Sequence, residues 1–386
     1  MKVIIYCQHV LGIGHLFRTI EICKALHRHD VILVTGGPPV ETMLPVHVRE
    51  IRLPQLQMDH NFKGLHGSHP DMSLDQVKDK RRNQLLALFE AEKPDLFIVE
   101  LYPFGRKAFR FELDLVLEHI RNNKTSTCKV VCSVRDILVE KENQEKHEIR
   151  AVTTLNNFFD AVLVHSDPEI VKISTTFHKY DEIQIPVVYT GFIAQKPLPS
   201  TKSQLRRQRH VGDDDLLIIA SAGGGNVGAP LLEAVIRAFK RLKSNRQMQL
   251  LVFAGPYLDK DRFKHLQQMA SENIRVAEFA TDFISLLATA DLSVSMAGYN
   301  TSMNILVTKV PALVWPFPQN REQSQRARRL ADVGALQVLT ENDLQTQQLS
   351  DIMNRALGVK HHPSFEIDLE GARNTAKWIE KQKVRG

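Results

Sequence analysis

Cysteine is scarce in this sequence: Cys7, Cys23, Cys128 and Cys132 are the only four in 386 residues. No Cys-x-x-Cys pair occurs, and so few thiols in so long a chain do not make a disulfide scaffold. They read as reduced core residues. Long apolar runs are missing as well. The stretch at residues 3–7 is too short for a signal segment or a membrane span, which sets the expectation of a cytoplasmic protein. Charge of one sign is not in large excess, with 50 Lys and Arg against 44 Asp and Glu. The resulting +6 suits a polyphosphate ligand or an anionic membrane surface. It falls short of the dense basic stripe of a nucleic-acid binder, so no nucleic-acid partner is expected.

What is present is an ordinary soluble composition, 43% hydrophobic and 24% charged, in a chain long enough for two domains. Short β-branched runs at residues 2–6, 31–34, 96–99, 129–134, 161–164 and 187–188 alternate with helical patterns such as 16–26, 74–92 and 109–121. Continuous apolar strands separated by helices imply a parallel sheet covered on both faces. A polar, basic connector at 196–215, including Arg206-Arg207-Gln208-Arg209, interrupts the rhythm. It restarts with strands at 216–220, 249–254, 274–276, 292–295 and 312–314 and a helix at 230–242. The expected fold class is α/β, two doubly wound Rossmann-like domains facing across a cleft. The expected boundaries are 1–196, 197–365 and a C-terminal helix in 366–386 that packs back on the first domain.

The segment 55–82 breaks the pattern. It carries His60, His66, His69 and the basic cluster Lys78–Arg82, and reads as a functional or mobile loop on the acceptor side. The histidine spacing fits no tight ligand set, so no metal site is expected.

Gly12-Ile13-Gly14-His15 follows the first strand and opens the first helix. Glycine there permits a tight turn and close approach by a ligand, and helix-start amides favour negative charge. Arg18 and Thr19 stand where a dinucleotide fingerprint would need its third glycine. His15, at the carboxyl end of the first strand, can accept a proton near neutrality, or can simply tie the loop. Glu100 and Arg106, and Arg135 with Asp136, follow later strands and share that edge. Glu100 or Asp136 is placed to replace His15 as base, and Arg106 and Arg135 to hold an anionic acceptor.

In the second half, Ser221, Gly223, Gly224, Gly225 and Asn226 follow the first strand, and successive glycines expose amides to a phosphate. Gly298, Tyr299, Asn300 and Thr301 form a second strand-to-helix turn with hydroxyls where a helix should start. Glu322 and Gln323 follow the strand that ends near Trp315, in a polar run suited to sugar hydroxyls.

The order and separations of these motifs resemble the MurG-like glycosyltransferases, enzymes of GT-B fold, and in particular a bacterial group of predicted glycosyltransferases. The resemblance implies transfer of a sugar from a nucleotide diphosphate sugar, UDP-sugar favoured, to an acceptor hydroxyl, with inversion and without metal or other cofactor. It places Gly14 and His15 at the transfer site, Ser221–Asn226 and Thr301 on the diphosphate, and Glu322 and Gln323 on the donor sugar. Where the family often has an acidic residue for the ribose, this sequence has Asn304. The resemblance also implies that the stretch Val276–Phe279 borders the base. A nucleotide-sugar hydrolase or 2-epimerase of the same fold, or a non-catalytic nucleotide-sugar-binding subunit, fits the same motifs. The stretch Arg106–Phe111 leaves peripheral contact with the inner membrane face open.

Overall fold

The structure is a computed structural model. It describes the chain apart from residues 10–13, 41, 59–63, 68–71, 124–126, 139–142, 200–201, 226, 358–365 and 383–386. The chain forms two compact units, Met1–Ile193 together with Glu370–Gly386, and Ala194–Leu369.

In the first unit, β1 (Lys2–Tyr6), α1 (Gly14–Ala25), β2 (Asp30–Thr35), β3 (Val48–Arg52), β4 (Leu56–Met58), β5 (Leu65–Gly67), α2 (Leu74–Glu92) and β6 (Leu96–Glu100) follow one another. Next come α3 (Arg110–Asn122), β7 (Lys129–Arg135), α4 (Gln144–Phe158), β8 (Ala161–His165) and β9 (Val187–Tyr189). The main sheet runs β3-β2-β1-β6-β7-β8-β9 and every described pair in it is parallel. Such a sheet must be covered on both faces. Ile4, Tyr6, Phe97 and Val99 face a core with α2, α3 and α4, while Val3, Ile5, Leu96 and Ile98 face Leu16, Ile20 and Cys23 of α1. All four cysteines are free and buried.

The segment 55–82 departs from the loop reading. Its described part is an antiparallel β4–β5 hairpin followed by the first turns of α2. A capping box starts that helix: Ser73 Oγ accepts from the Gln76 amide at 3.2 Å, and Gln76 Oε1 accepts from the Ser73 amide at 2.8 Å. The basic cluster is not a free surface either. Arg81 is fully buried; its Nη2 donates to Glu112 Oε1 at 2.5 Å and its Nε to Glu112 Oε2 at 2.9 Å. Tyr6 shares the same carboxylate. His66 lies on β5, whereas His60 and His69 fall outside the described residues.

The second unit begins with α5 (Lys202–Gln208), β10 (Leu216–Ser221), α6 (Ala229–Phe239), β11 (Met248–Phe253), α7 (Lys260–Gln268), β12 (Ile274–Ala277) and α8 (Phe283–Leu287). It continues through β13 (Leu292–Met296), α9 (Tyr299–Thr308), β14 (Ala312–Trp315), α10 (Arg321–Asp332), β15 (Gln337–Val338) and α11 (Thr346–Ala356). Its sheet runs β12-β11-β10-β13-β14-β15, parallel throughout. The basic connector expected at 196–215 contains α5. Arg206 is buried there, donating to Thr289 O at 2.9 Å, to Gly212 O at 3.1 Å and to Asp215 O at 2.5 Å. The chain then returns to the first unit as α12 (Gly371–Gln382), which packs Ala376 and Ile379 with the α1 side of the sheet. Asn374 Nδ2 donates to Thr190 O at 2.9 Å.

Candidate active site

Each sheet reverses its strand order once, at β1/β6 in the first unit and β10/β13 in the second. Ligands of open α/β sheets bind beyond the carboxyl ends of the strands at such switch points. Most of the sequence-selected residues cluster at these two places.

In the first unit, His15 stands in the first turn of α1 and Glu100 is the last residue of β6. His15 Nδ1 lies 2.5 Å from Glu100 Oε1, and Arg18 Nη2 donates to that same oxygen at 2.6 Å. A carboxylate can only accept, so Nδ1 carries the proton and Nε2 keeps its lone pair. Glu100 and Arg18 are buried, while the His15 side chain retains 19% exposure. Arg106 Nη2 sits 3.6 Å from the other carboxylate oxygen. Burial would raise the Glu100 carboxyl, but His15, Arg106 and Arg18 outweigh it and hold it well below the usual carboxylate range. Burial pushes His15 down to about 3, against the pull of Glu100 and with Arg106 and Arg18 adding to it. The pair is therefore a neutral imidazole on a charged carboxylate. Glu100 holds the His15 ring by its Nδ1 edge.

Arg135 ends β7 and pairs in register with His165, and Asp136 behind it is fully buried. His165 is buried with both ring nitrogens engaged, Nε2 by Ser133 Oγ at 2.7 Å and Nδ1 by Thr190 Oγ1 at 2.8 Å. Burial, with Arg18 adding to it, lowers this imidazole to about 3. Sequence reading passed over Arg18 and His165. Arg18 had a signal: it lies one helical turn beyond His15, on the same face. His165, at the end of an all-apolar strand, had little.

In the second unit, β10 ends at Ser221 and the glycine turn follows, with Gly223 at φ +63° and Gly225 at φ +91°. Gly225 has no room for a side chain, because a Cβ there would lie 2.6 Å from Ala254 O. Gly223 is different. Among the described residues, a Cβ at Gly223 would meet only Thr301 Oγ1, at 4.0 Å, and one at Gly298 the same oxygen at 3.9 Å. Two glycines on neighbouring strand ends thus face one hydroxyl. Gly298 is the N-cap of α9 and supplies no side-chain cap, so that helix presents its amide end there. Tyr299 is buried, Asn300 and Thr301 half-buried, and Asn304 lies one turn along the Thr301 face. Gly224 O accepts from the Tyr257 amide at 2.9 Å, and Asn226 falls outside the described residues.

The polar run after β14 is the start of α10. Asn320 caps it by accepting from the Gln323 amide at 3.1 Å, and Gln323 Oε1 accepts from the Phe317 amide at 3.0 Å. Glu322 is buried beside Arg326, whose Nη2 lies 3.4 Å from Glu322 Oε1. The Arg326 guanidinium also sits 5.3 Å over the Tyr299 ring, joining α10 to α9. Phe279, just past the edge strand β12, is 55% exposed.

With this geometry in place, the chain can be set beside known proteins. A stretch of its second half matches the glycosyltransferase family 28 C-terminal domain. The match covers residues 220–374. Among characterised proteins, a UDP-N-acetylglucosamine–N-acetylmuramyl-(pentapeptide) pyrophosphoryl-undecaprenol N-acetylglucosamine transferase of Desulfitobacterium hafniense is 29% identical over 46% of this chain and 53% of its own length. The Caldicellulosiruptor saccharolyticus protein of the same name is 27% identical over 38% and 40%. The chain thus spans about half the length, or less, of these relatives. Acinetobacter baumannii MurG superposes with a TM-score of 0.58 at 16% identity, over 99% of this chain and 100% of that one. Phytolacca americana UGT2, solved with UDP-2-fluoro-glucose and pterostilbene, gives 0.61 at 12% over 99% and 94%. The fold is GT-B and the resemblance to the MurG-like glycosyltransferases holds.

Arg106–Phe111 offers no exposed aromatic for a membrane, since Phe109 is fully buried and Phe111 packs on the core. No helix among the described residues is long and apolar enough to cross a membrane. The sequence holds two Asp-x-Asp spacings, Asp213–Asp215 and Asp259-Lys260-Asp261. Here Asp215 accepts from the Gly212 amide and Asp259 caps α7.

Proposed function

We propose that the protein transfers a sugar from a nucleotide diphosphate sugar, with UDP as the favoured nucleotide, to an acceptor hydroxyl, inverting the anomeric centre without a metal. The observation that carries this is the pair of glycines, Gly223 and Gly298, that face Thr301 Oγ1 where α9 starts without a side-chain cap. It is a site for a diphosphate, whose leaving charge the helix amides and Thr301 would stabilise. Ser221, Gly224, Gly225, Tyr299 and Asn300 surround the diphosphate. Asn304 meets the ribose, Phe279 the base, and Glu322 and Gln323 the sugar. As the bond from the anomeric carbon to the β-phosphate oxygen breaks, the diphosphate takes the electron pair. The acceptor oxygen bonds the same carbon and its proton passes to His15 Nε2. Arg106 and Arg135 hold the acceptor. The named relatives use UDP-N-acetylglucosamine, which makes an N-acetylhexosamine the first sugar to try, ahead of a plain hexose. The expected location is the cytoplasm, with any membrane contact peripheral.

A thermal-shift screen of nucleoside diphosphates and their sugars tests donor binding, since a ligand of the native state raises its stability by mass action. Donor consumption is then followed by NMR with and without acceptor alcohols. Consumption that requires an acceptor and survives chelation by EDTA supports the proposal. Rapid sugar release from donor alone assigns a hydrolase instead, and binding without turnover assigns a binding subunit.

A further inference from the structure

Three groups meet on one carboxylate oxygen at the β1/β6 switch point. Glu100 Oε1 lies 2.5 Å from His15 Nδ1 and 2.6 Å from Arg18 Nη2, and those two nitrogens are 3.1 Å apart. Glu100 Oε2 faces Arg106 Nη2 at 3.6 Å. The carboxylate is thus shared between an imidazole and two permanent cations. We propose that Arg18 is a positioning residue for His15: it fixes Glu100 Oε1 against Nδ1 and opposes a second positive charge on the ring, which keeps the Nε2 lone pair free. Only the use of that lone pair on an acceptor hydroxyl rests on the transferase reading.

Arg18 acts through His15 and not on a ligand. Its side chain is 2% exposed, against 19% for His15. Both stand on α1, three residues apart and so on one helix face. Thr19 Oγ1 donates to His15 O at 2.9 Å, within the same turn. A guanidinium nitrogen only donates, so Arg18 could feed Nδ1 only if that nitrogen were bare. A bare Nδ1 would set its lone pair against Glu100 Oε1 at 2.5 Å. Both nitrogens therefore carry hydrogen, and both donate to Oε1.

A carboxylate facing His15 alone would draw a proton onto the ring, because an opposite charge at this distance favours the charged form. Arg18 neutralises part of that pull and adds a like charge beside Nδ1. Burial pushes the His15 ring down, Glu100 pulls it up, and Arg106 and Arg18 push it down again. Cys7, just past β1, and His165 of β8 bring no charge to the cluster near neutral pH. Burial pushes the thiol up to about 12, with Glu100 adding to it, and lowers the second imidazole to about 3, with Arg18 adding to it. A buried arginine–carboxylate pair is weak evidence for stability, since apolar residues of the same volume often serve as well. What Arg18 does to the ring is the better account of its place.

Histidine ¹⁵N NMR on the full chain, without donor or acceptor, provides the test from pH 8 down to about 3.5. Arg18→Lys and Arg18→Met have side chains of nearly the same length and differ in charge. The parent is expected to hold a protonated Nδ1 and a bare Nε2 over most of the range, and Arg18→Lys to keep that state. Arg18→Met should raise the His15 midpoint by about one pH unit or more, a tenfold gain in proton affinity. Water entering the space left by the guanidinium would move both variants alike. Equal midpoints in the two variants therefore overturn the proposal, as does a parent ring that is charged near neutrality. Should Arg18→Met not fold, Arg18→Gln serves as the uncharged variant. In an acceptor-dependent assay the acid limb of kcat/KM should follow the NMR midpoint, moving to higher pH in Arg18→Met and staying in place in Arg18→Lys. A midpoint that moves as stated in a protein that consumes no donor supports the role of Arg18 and removes the transferase reading instead.

Discussion

His15 and Glu100 meet across the β1/β6 switch point through a 2.5 Å contact, Nδ1 to Oε1, with Arg18 on the same oxygen at 2.6 Å. The carboxylate selects the tautomer that leaves the Nε2 lone pair free, and His15, Arg106 and Arg18 together keep the carboxylate charged. If this unit delivers the general base, His15→Ala costs about 10²–10⁴-fold in kcat. Glu100→Gln keeps an acceptor oxygen but loses the charge, and is expected to lower kcat while leaving the donor KM unchanged. Residues that act as one unit are not additive. Glu100→Gln should therefore cost almost nothing further in a His15→Ala background. A double variant as slow as the product of the two single effects would separate the residues.

Two of the depressed histidines, His15 and His165, make stability fall on the acid side. In the unfolded chain His15 and His165 take up a proton near pH 6.5, whereas in the fold both are pushed down to about 3. Between those values the unfolded state binds more protons, so stability is full above about pH 6.5 and is lost as pH falls toward about 3. Each histidine contributes a slope of at most about 1.4 kcal/mol per pH unit. His165→Gln, with one donor and one acceptor for Ser133 and Thr190, should remove one such slope from urea midpoints measured between pH 4 and 7. An unchanged slope would show that His165 protonates in place.

Much of the sheet architecture was legible because parallel strands buried on both faces, such as Leu96–Glu100 and Ala161–His165, read as unbroken apolar runs. The helices α4 and α10 were not. The α10 segment Arg-Glu-Gln-Ser-Gln-Arg-Ala-Arg-Arg-Leu-Ala-Asp buries Glu322 and Arg326 alongside Ala327 and Leu330, so half of its inner stripe is charged. Apolar periodicity gives little signal for such a helix. The same limit hid Arg81 and Arg206, which look like surface charge in sequence and are core residues in the fold. At the candidate site, Gly14, His15 and Thr301 followed from their places after strands. The His15–Glu100 contact joins residues 85 positions apart, and nothing local announces it.

Gly298→Ala tests the diphosphate site with little effect on folding. The residue has φ −64°, which any side chain tolerates, and the added methyl would touch only Thr301 Oγ1 at 3.9 Å. Losing a glycine from the unfolded chain stabilises by about 0.4–1 kcal/mol where the backbone allows. The melting temperature should stay level or rise slightly. The methyl would stand where a phosphate oxygen belongs, so UDP affinity measured by calorimetry should fall at least tenfold. Unchanged affinity with an intact fold would move the diphosphate away from α9.

Arg326 tests whether the phosphate and sugar ends of the second unit are coupled. Its guanidinium lies on Tyr299 of α9 and beside Glu322 of α10, and all three are buried. Removing one partner of a buried pair costs about 3–5 kcal/mol, so Arg326→Met should destabilise this unit strongly. Arg326→Lys is the sharper variant. It keeps the charge and loses the planar stack, so Glu322 keeps a cationic partner but is no longer held at a fixed distance from α9. Affinity for UDP alone should then change less than twofold, while the extra affinity contributed by the sugar of a UDP-sugar should disappear. Equal losses for UDP and UDP-sugar would make Arg326 a packing residue with no part in holding the sugar.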